Sequence, residues 1–517
     1  MGNPGNLPLD KYKSNSIRII QSTGAPGASV IAGIDQLLLV LPEKIPASAW
    51  GSIPQGNKVQ ALMKRRTRSG VPAVLTRIDN KRQTTLLVGT ISPDAEAFEQ
   101  LCFGRKMVSA ALGEKGGCLG IRVLGFRHED AEKLHAQLVA AALAAGFSLA
   151  EFKTKAKPPH IQSIRIIGLD KRLDLSRTEA EANGNNLARW LTAMPPNKLD
   201  ATAYIGFLRE LAKDRGWQFR KYGVRELEKM GAGAFLAVAQ GNPDESAAIV
   251  RLRYRPDAKT APPALSLVGK GIIFDTGGTN LKPFLSMVDM HIDMGGSAVA
   301  VGVLLAMSEL RIPLAVDCWL AITENRIGPT AYKSQDVITA ANGKTIQVIH
   351  TDAEGRLALA DTLVLAGREK PRLIIDYATL TGACVNAITR RYSGVFTNRP
   401  DWHPVLKKSG RDSGERVWPF PLGREFMSEL ESEVADLRQC TPDAGGDHIL
   451  AATFLNEFVS SDIPWIHVDL SASKRKGGLG AIATDVTGFG VRLTLDLVLD
   501  KKLLESANVS PRSTGGP

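Results

Sequence analysis

The chain has 517 residues, which is long for a single hydrophobic core, and two domains are therefore expected. Its 44% hydrophobic and 23% charged content is that of a globular protein. Its longest apolar stretches, such as residues 298–307, fall short of the roughly 18 residues that a membrane span requires, which argues against a membrane protein.

Residues 1–16 are polar and contain Pro and Gly, with no apolar core resembling a signal peptide. Myristoylation is not expected, because the Met1-Gly2 start is not followed by Ser or Thr at position 6. A cytoplasmic protein is the plain expectation. The net charge is +11, and residues 1–160 carry 21 Lys/Arg against 12 Asp/Glu, so most of the excess lies there. Lys64-Arg65-Arg66-Thr67-Arg68 is its densest piece. Such a run reads either as a solvated loop or as a source of nonspecific attraction to DNA.

In that first region, residues 73–75, 85–88 and 118–124 read as strands and residues 130–145 as an alanine-rich helix, making a small α/β domain. A basic, proline-containing loop at 153–159 precedes a further strand at 164–167. A polar helix over 176–193 is then ended by Pro195-Pro196. The domain boundary is expected near residue 175.

Beyond it, apolar strand candidates at 247–252, 265–268, 314–321, 345–349, 373–377 and 465–470 alternate with helical patterns such as 297–308, 357–366 and 451–459. That alternation predicts an α/β domain with a largely parallel central sheet covered on both faces. The last dozen residues, rich in Ser, Pro and Gly, read as a loose tail.

The five cysteines are scattered and odd in number, with no C-x-x-C spacing, and the eight histidines form no H-x-x-x-H pair. Buried free thiols are expected, and any metal would rest on carboxylates. Ligands gather at the carboxyl ends of strands in open α/β sheets. Three such places carry unusual residues. One runs from Lys270 through Asp275 and Gly277-Gly278 to Lys282, another is Met290-His291-Ile292-Asp293-Met294-Gly295-Gly296, and the third is His350-Thr351-Asp352-Ala353-Glu354-Gly355-Arg356.

Singly, each aspartate reads as a helix N-cap and each glycine pair as a turn. Together, Asp275, Asp293, Asp352 and Glu354 suit a pair of divalent cations sharing bridging carboxylates, with oxygen ligands favouring Mn2+, Mg2+ or Zn2+. A two-metal phosphohydrolase would use similar residues, but the chain lacks a glycine-rich phosphate loop ending in Lys-Ser/Thr.

These segments, with Asp376-Tyr-Ala-Thr-Leu-Thr-Gly-Ala383 and Thr487-Gly-Phe-Gly-Val-Arg492, resemble the leucyl aminopeptidase (cytosol aminopeptidase) family from about residue 186 to 498. The resemblance implies a metallo-exopeptidase that removes N-terminal residues from peptides, with a macro-domain-like N-terminal domain and a homohexameric assembly. It implies two divalent ions, Zn2+ or Mn2+. Asp275 and Glu354 would bridge them, Lys270 and Asp293 would complete the tighter site, and Asp352 the more exchangeable one. Lys282 would hold the scissile carbonyl oxygen, and Arg356 would bind a bicarbonate acting as general base.

Met290, Thr379 and Gly382 would line the side-chain pocket. Two departures stand out. His350 occupies a place that is usually Asn, and Asp469-Leu-Ser-Ala-Ser-Lys474 replaces small and apolar residues, so a preference for leucine is not implied.

Overall fold

Apolar runs separated by turn residues form two mostly parallel sheets, each covered by helices on both faces, in a two-domain α/β fold. The computed structural model describes residues 17–506 apart from 66–70, 114–115, 156–160, 243–245, 258–261 and 443–444, together with residues 7, 9 and 12. Part of the basic run at 64–68, most of the 153–159 loop and the C-terminal tail lie outside the described residues.

The first sheet comprises β1 (Arg18–Thr23), β2 (Gln36–Pro42), β3 (Val74–Arg77), β4 (Thr85–Ile91), β5 (Cys118–Val123) and β6 (Ser163–Leu169), in the order β1-β6-β5-β2-β4-β3. Only β3 pairs antiparallel. Helices Ala97–Ala111 and His128–Gly146 pack on one face, and Gly56–Lys64 lies on the other. The sequence reading did not mark β2. Every residue of it is buried, and a strand buried on both faces shows no alternation to read.

The larger sheet is built from β7 (Gln218–Gly223), β8 (Ala248–Tyr254), β9 (Leu265–Asp275), β10 (Val316–Asn325), β13 (Leu373–Ala378), β14 (Ser393–Thr397), β15 (Val417–Pro419) and β17 (Trp465–Asp469). Its order is β15-β14-β17-β13-β9-β10-β8-β7, and the central β17-β13-β9-β10 block is parallel. A separate small sheet joins β11 (Val337–Thr339), β12 (Thr345–Gln347) and β16 (Leu437–Arg438). The strand expected at 345–349 is therefore β12 of this small sheet and lies outside the central one.

Two features of the large sheet shape its carboxyl edge. The last pair between β9 and β13 is Gly269 with Tyr377, yet β9 continues beside β10 to Asp275. Residues 270–275 thus stand beyond the point where β13 turns away. Across this edge lies helix Gly295–Glu309, whose first thirteen residues are all buried. The run Phe284–Glu309 has the length and apolarity of a membrane span, but 89% of its most apolar window is buried inside the protein. It packs as a core element against β9, β10 and β13. All five cysteines are free, and all but the half-buried Cys102 are buried.

Candidate metal centre

The three sequence segments meet at the carboxyl edge of β9, β10 and β13. Lys270 lies on the projecting part of β9 and Asp275 ends it. Asp293 follows the single helical turn Met290–Ile292, just ahead of helix Gly295–Glu309. Glu354 opens helix Glu354–Arg368, with Asp352 in the turn before it.

One oxygen from each of Asp275, Asp293 and Glu354 lies within 4.8 Å of the others, and all three residues are buried. Lys270 Nζ sits 2.8 Å from Asp293 Oδ2 and 2.9 Å from Glu354 Oε1, and it donates to the Thr379 carbonyl at 3.0 Å. Lys282 Nζ joins Asp275 Oδ2 at 2.8 Å to Asp352 Oδ1 at 2.5 Å. The structure thus brings together all five residues expected as metal ligands, with Lys282 among them.

The cluster is held from behind. Asp275 Oδ1 accepts from the Gly277 N–H and from Asn325 Nδ2, both at 2.8 Å. Asn325 Nδ2 also donates to the Thr351 carbonyl at 3.0 Å, where Tyr332 Oη donates at 2.7 Å. Thr379 Oγ1 donates to Asp293 Oδ1 at 2.5 Å. The sequence reading missed Asn325. Its strand was expected to stop at residue 321, and the strand-end position that could have drawn attention to it became visible only with β10's full length.

Burial opposes the charge on Lys270, but Asp293, Glu354 and Asp275 outweigh it and hold the amine's pKa above its ordinary value. Lys282 is raised for the same reason, against burial, by Asp275, Glu354 and Asp352. The acids rise too. Burial and then Asp275 push Glu354 up to about 8. Burial lifts Asp293 to about 6 despite Lys270, and burial with Asp275 raises Asp352.

Four acids against two ammonium groups leave excess negative charge in a site of low polarity, which a bound cation relieves. Carboxylate oxygens with one amine are a donor set for Mn2+, Mg2+ or Zn2+, so these residues fit the divalent ions expected of them.

The remaining expected residues lie around this core. Thr379 touches Asp293 as described, Met290 is half-buried in the turn leading to it, and Gly382 opens a short helix with free space on its Cβ side. Lys474 Nζ pairs with Asp289 Oδ2 at 2.6 Å, next to Met290, and Asp469 accepts from Thr381 Oγ1 at 2.7 Å. His350 is exposed, and its Nδ1 accepts the Asp352 backbone N–H at 3.3 Å.

Arg356 is buried, and Asp447 holds its charge against the cost of burial. Its Nη2 lies 2.8 Å from each oxygen of Asp447, and Nη1 donates to the Gln439 carbonyl at 3.1 Å. The sequence reading did not foresee this pair. Ninety-one residues separate its members, and no local pattern links them.

A family profile described as "Cytosol aminopeptidase family, catalytic domain" matches residues 186–495. The chain is 34% identical to a probable cytosol aminopeptidase of Synechococcus sp. (strain CC9605), covering 84% of this chain and 89% of that protein. Among solved structures it superposes on leucyl aminopeptidase from Trypanosoma brucei in complex with bestatin, with a TM-score of 0.80, 26% identity, and 94% and 96% of the two chains covered. It also superposes on the bottromycin maturation enzyme BotP in complex with Mn, with a TM-score of 0.76, 27% identity, and 91% and 99% covered. A catalytic-domain match spanning more than half the chain, placed over the buried carboxylate cluster, shows that the chain belongs to the cytosol aminopeptidase family and is a metallo-aminopeptidase, a hydrolase.

Proposed function

We propose that the chain removes N-terminal residues from peptides at a site that would hold two divalent cations, with Asp275 and Glu354 as the ligands that would serve both. Lys270 and Asp293 would complete one cation position and Asp352 the other. The observation that carries this reading is the convergence of Asp275, Asp293 and Glu354 within 4.8 Å in a buried setting. When bound, the ions supply Lewis acidity and make water a nucleophile near neutral pH. Mn2+ and Zn2+ are the candidates, and the BotP structure is a complex with Mn.

The chain's own residues do the rest. Lys270, whose proton the surrounding acids favour while no cation is bound, would hold a cation only as the neutral amine, because an ammonium has no lone pair to offer. Lys282, 13% exposed at the rim of the cluster, keeps its proton and faces the carbonyl oxygen of the scissile bond, where negative charge develops. Thr379 fixes Asp293 through its hydroxyl, and together with Met290 and Gly382 it borders the pocket for the substrate's first side chain.

The expected bicarbonate does not fit Arg356 as it stands. A planar anion gripped in two places needs Nη2 with either Nε or Nη1. Asp447 already holds Nη2 with both oxygens. No step here therefore passes through bicarbonate.

Three further readings rest on the family and on charge. They are a homohexameric assembly, a domain boundary near residue 175, and weak, salt-sensitive attraction of the basic N-terminal domain to DNA.

The test is hydrolysis of amino-acid p-nitroanilides and of p-nitrophenyl phosphate by protein stripped with a chelator and then resupplied with Mn2+ or Zn2+. Metal-dependent release from the anilides alone is expected. Anilide hydrolysis unaffected by stripping, or a preference for the phosphate, would refute the reading.

A further inference from the structure

Asp447 is placed with some care by the fold. Gly446, at φ 70°, turns the chain in the left-handed region and delivers Asp447 as the first residue of helix Asp447–Asn456. The dipoles of a helix N-terminus favour an anion there. The Asp447 side chain is 23% exposed, while the Arg356 side chain it grips is 2% exposed. Arg356 in turn lies two residues after Glu354 in the same helical turn, and the Glu354 charge acts on it.

Arg356 Nε has no hydrogen-bond partner among the described residues and Nη1 uses one of its two N–H groups, on the Gln439 carbonyl, so the donors left over lie on Nε and Nη1 and none on Nη2, which Asp447 occupies. A second anion at those leftover donors would place two like charges on one cation, which a buried site resists.

We propose that Asp447 is the built-in anion of Arg356 and serves as the proton acceptor in hydrolysis, making the enzyme independent of bicarbonate. This rests on the metallo-aminopeptidase reading of the neighbouring cluster. In the step assigned to it, the attacking water's oxygen bonds to the scissile carbonyl carbon and one of its protons passes to the Asp447 carboxylate. As the C–N bond breaks, that proton goes to the departing nitrogen, which leaves as the amine. The carboxylate returns to its starting form, and the products are a free acid and a shortened peptide. Arg356 acts as a positioning residue, holding the carboxylate by two contacts from one nitrogen.

Two substitutions and two readouts test the proposal. Asp447→Asn keeps the shape and a hydrogen-bond acceptor for Arg356 but accepts no proton, and Asp447→Gly vacates the guanidinium. The first readout is kcat and KM in carbon-dioxide-free buffer, with and without added bicarbonate or formate. The second is binding of 13C-labelled bicarbonate, followed by broadening of its NMR line, which requires no turnover.

The wild-type enzyme is expected to show kcat unchanged by bicarbonate and no broadening of the label. Both variants should lose about 10²–10⁴-fold in kcat with little change in KM. Only the glycine variant should bind the label and recover activity with bicarbonate or formate.

Saturable activation and label binding by the wild type would overturn the proposal, as would full kcat in Asp447→Asn. A loss in Asp447→Gly that no small carboxylate rescues would mark Asp447 as a purely structural partner and overturn it equally. If the wild type hydrolyses no aminoacyl substrate with any metal, the peptidase reading fails by itself. The label-binding result still decides which anion Arg356 holds.

Discussion

Gly355→Ala separates the stability of the fold from the competence of the site. Gly355 lies between Glu354 and Arg356 at the start of helix Glu354–Arg368. A Cβ there would stand 2.6 Å from both Cε and Nζ of Lys270 and 2.9 Å from its Cδ. Ordinary contact is about 3.5 Å, so the lysine tip must retreat by about 1 Å. It retreats from a position fixed by Asp293, Glu354 and the Thr379 carbonyl, all within 3.0 Å.

For stability, the overpacking cost of about 1–3 kcal/mol is partly offset by the helix preference of Ala over Gly, about 1 kcal/mol. The obstructing atoms belong to the flexible end of a side chain, which places the net loss at roughly 0–2 kcal/mol. For function, a misplacement of about 1 Å in a catalytic constellation costs on the order of 10²-fold in rate. The variant is therefore expected to stay folded by circular dichroism, with a modest drop in its urea midpoint. Its metal content, by elemental analysis after dialysis, should fall below that of the wild type, and kcat should drop by about two orders of magnitude. A folded variant with wild-type metal content and kcat would refute the idea that the Lys270 amine must occupy this place.

Gly296→Ala should behave in the opposite way, because its Cβ would meet backbone: the Tyr377 carbonyl oxygen at 2.1 Å, its carbon at 2.8 Å and the Lys270 nitrogen at 3.0 Å. Two core strands and a core helix cannot part cheaply, so a loss of about 3 kcal/mol or more is expected in urea unfolding, and a wild-type midpoint would count against this packing.

His135, buried in helix His128–Gly146, has its pKa lowered to about 4, chiefly by burial and against the Ala131 carbonyl and Glu132. A base depressed on folding contributes stability that is whole above its unfolded pKa of about 6.5 and is lost as pH falls toward 4, at about 1.4 kcal/mol per unit. Hydrogen exchange of the His128–Gly146 amides should show that loss in the wild type and less of it in His135→Leu; equal acid sensitivity would remove His135 as the cause.

The chain's local chemistry was enough to locate the parts. Helix 176–193, ended by two prolines, matches Ser176–Thr192, and Leu373–Ala378 reads as a strand because an apolar, β-branched run has few alternatives. The four acids with Lys270 and Lys282 were also legible as a set, because charged residues beside glycines at strand ends are unusual in a core and sit within short segments; that Lys270 would act as a ligand was implied only by the family resemblance.

Where those segments meet was not legible. β9 was expected to stop at residue 268, since Gly269, Lys270 and Gly271 are poor strand formers. Pairing with β10 along its whole length overrides that local preference and carries Lys270 and Asp275 out over the site. Residues 345–347 are a strand by composition, but whether they join the central sheet or a small separate one depends on which edge is free, and Leu437 and Arg438 supply that edge.

Asn325 behind Asp275, and Asp447 in the grip of Arg356, belong wholly to the tertiary structure. Each is an ordinary polar residue in its own neighbourhood. Only the folded chain brings Asn325 across from Asp275 and Asp447 across from Arg356, and a contact between residues 50 or 91 positions apart leaves no periodicity in the sequence to read.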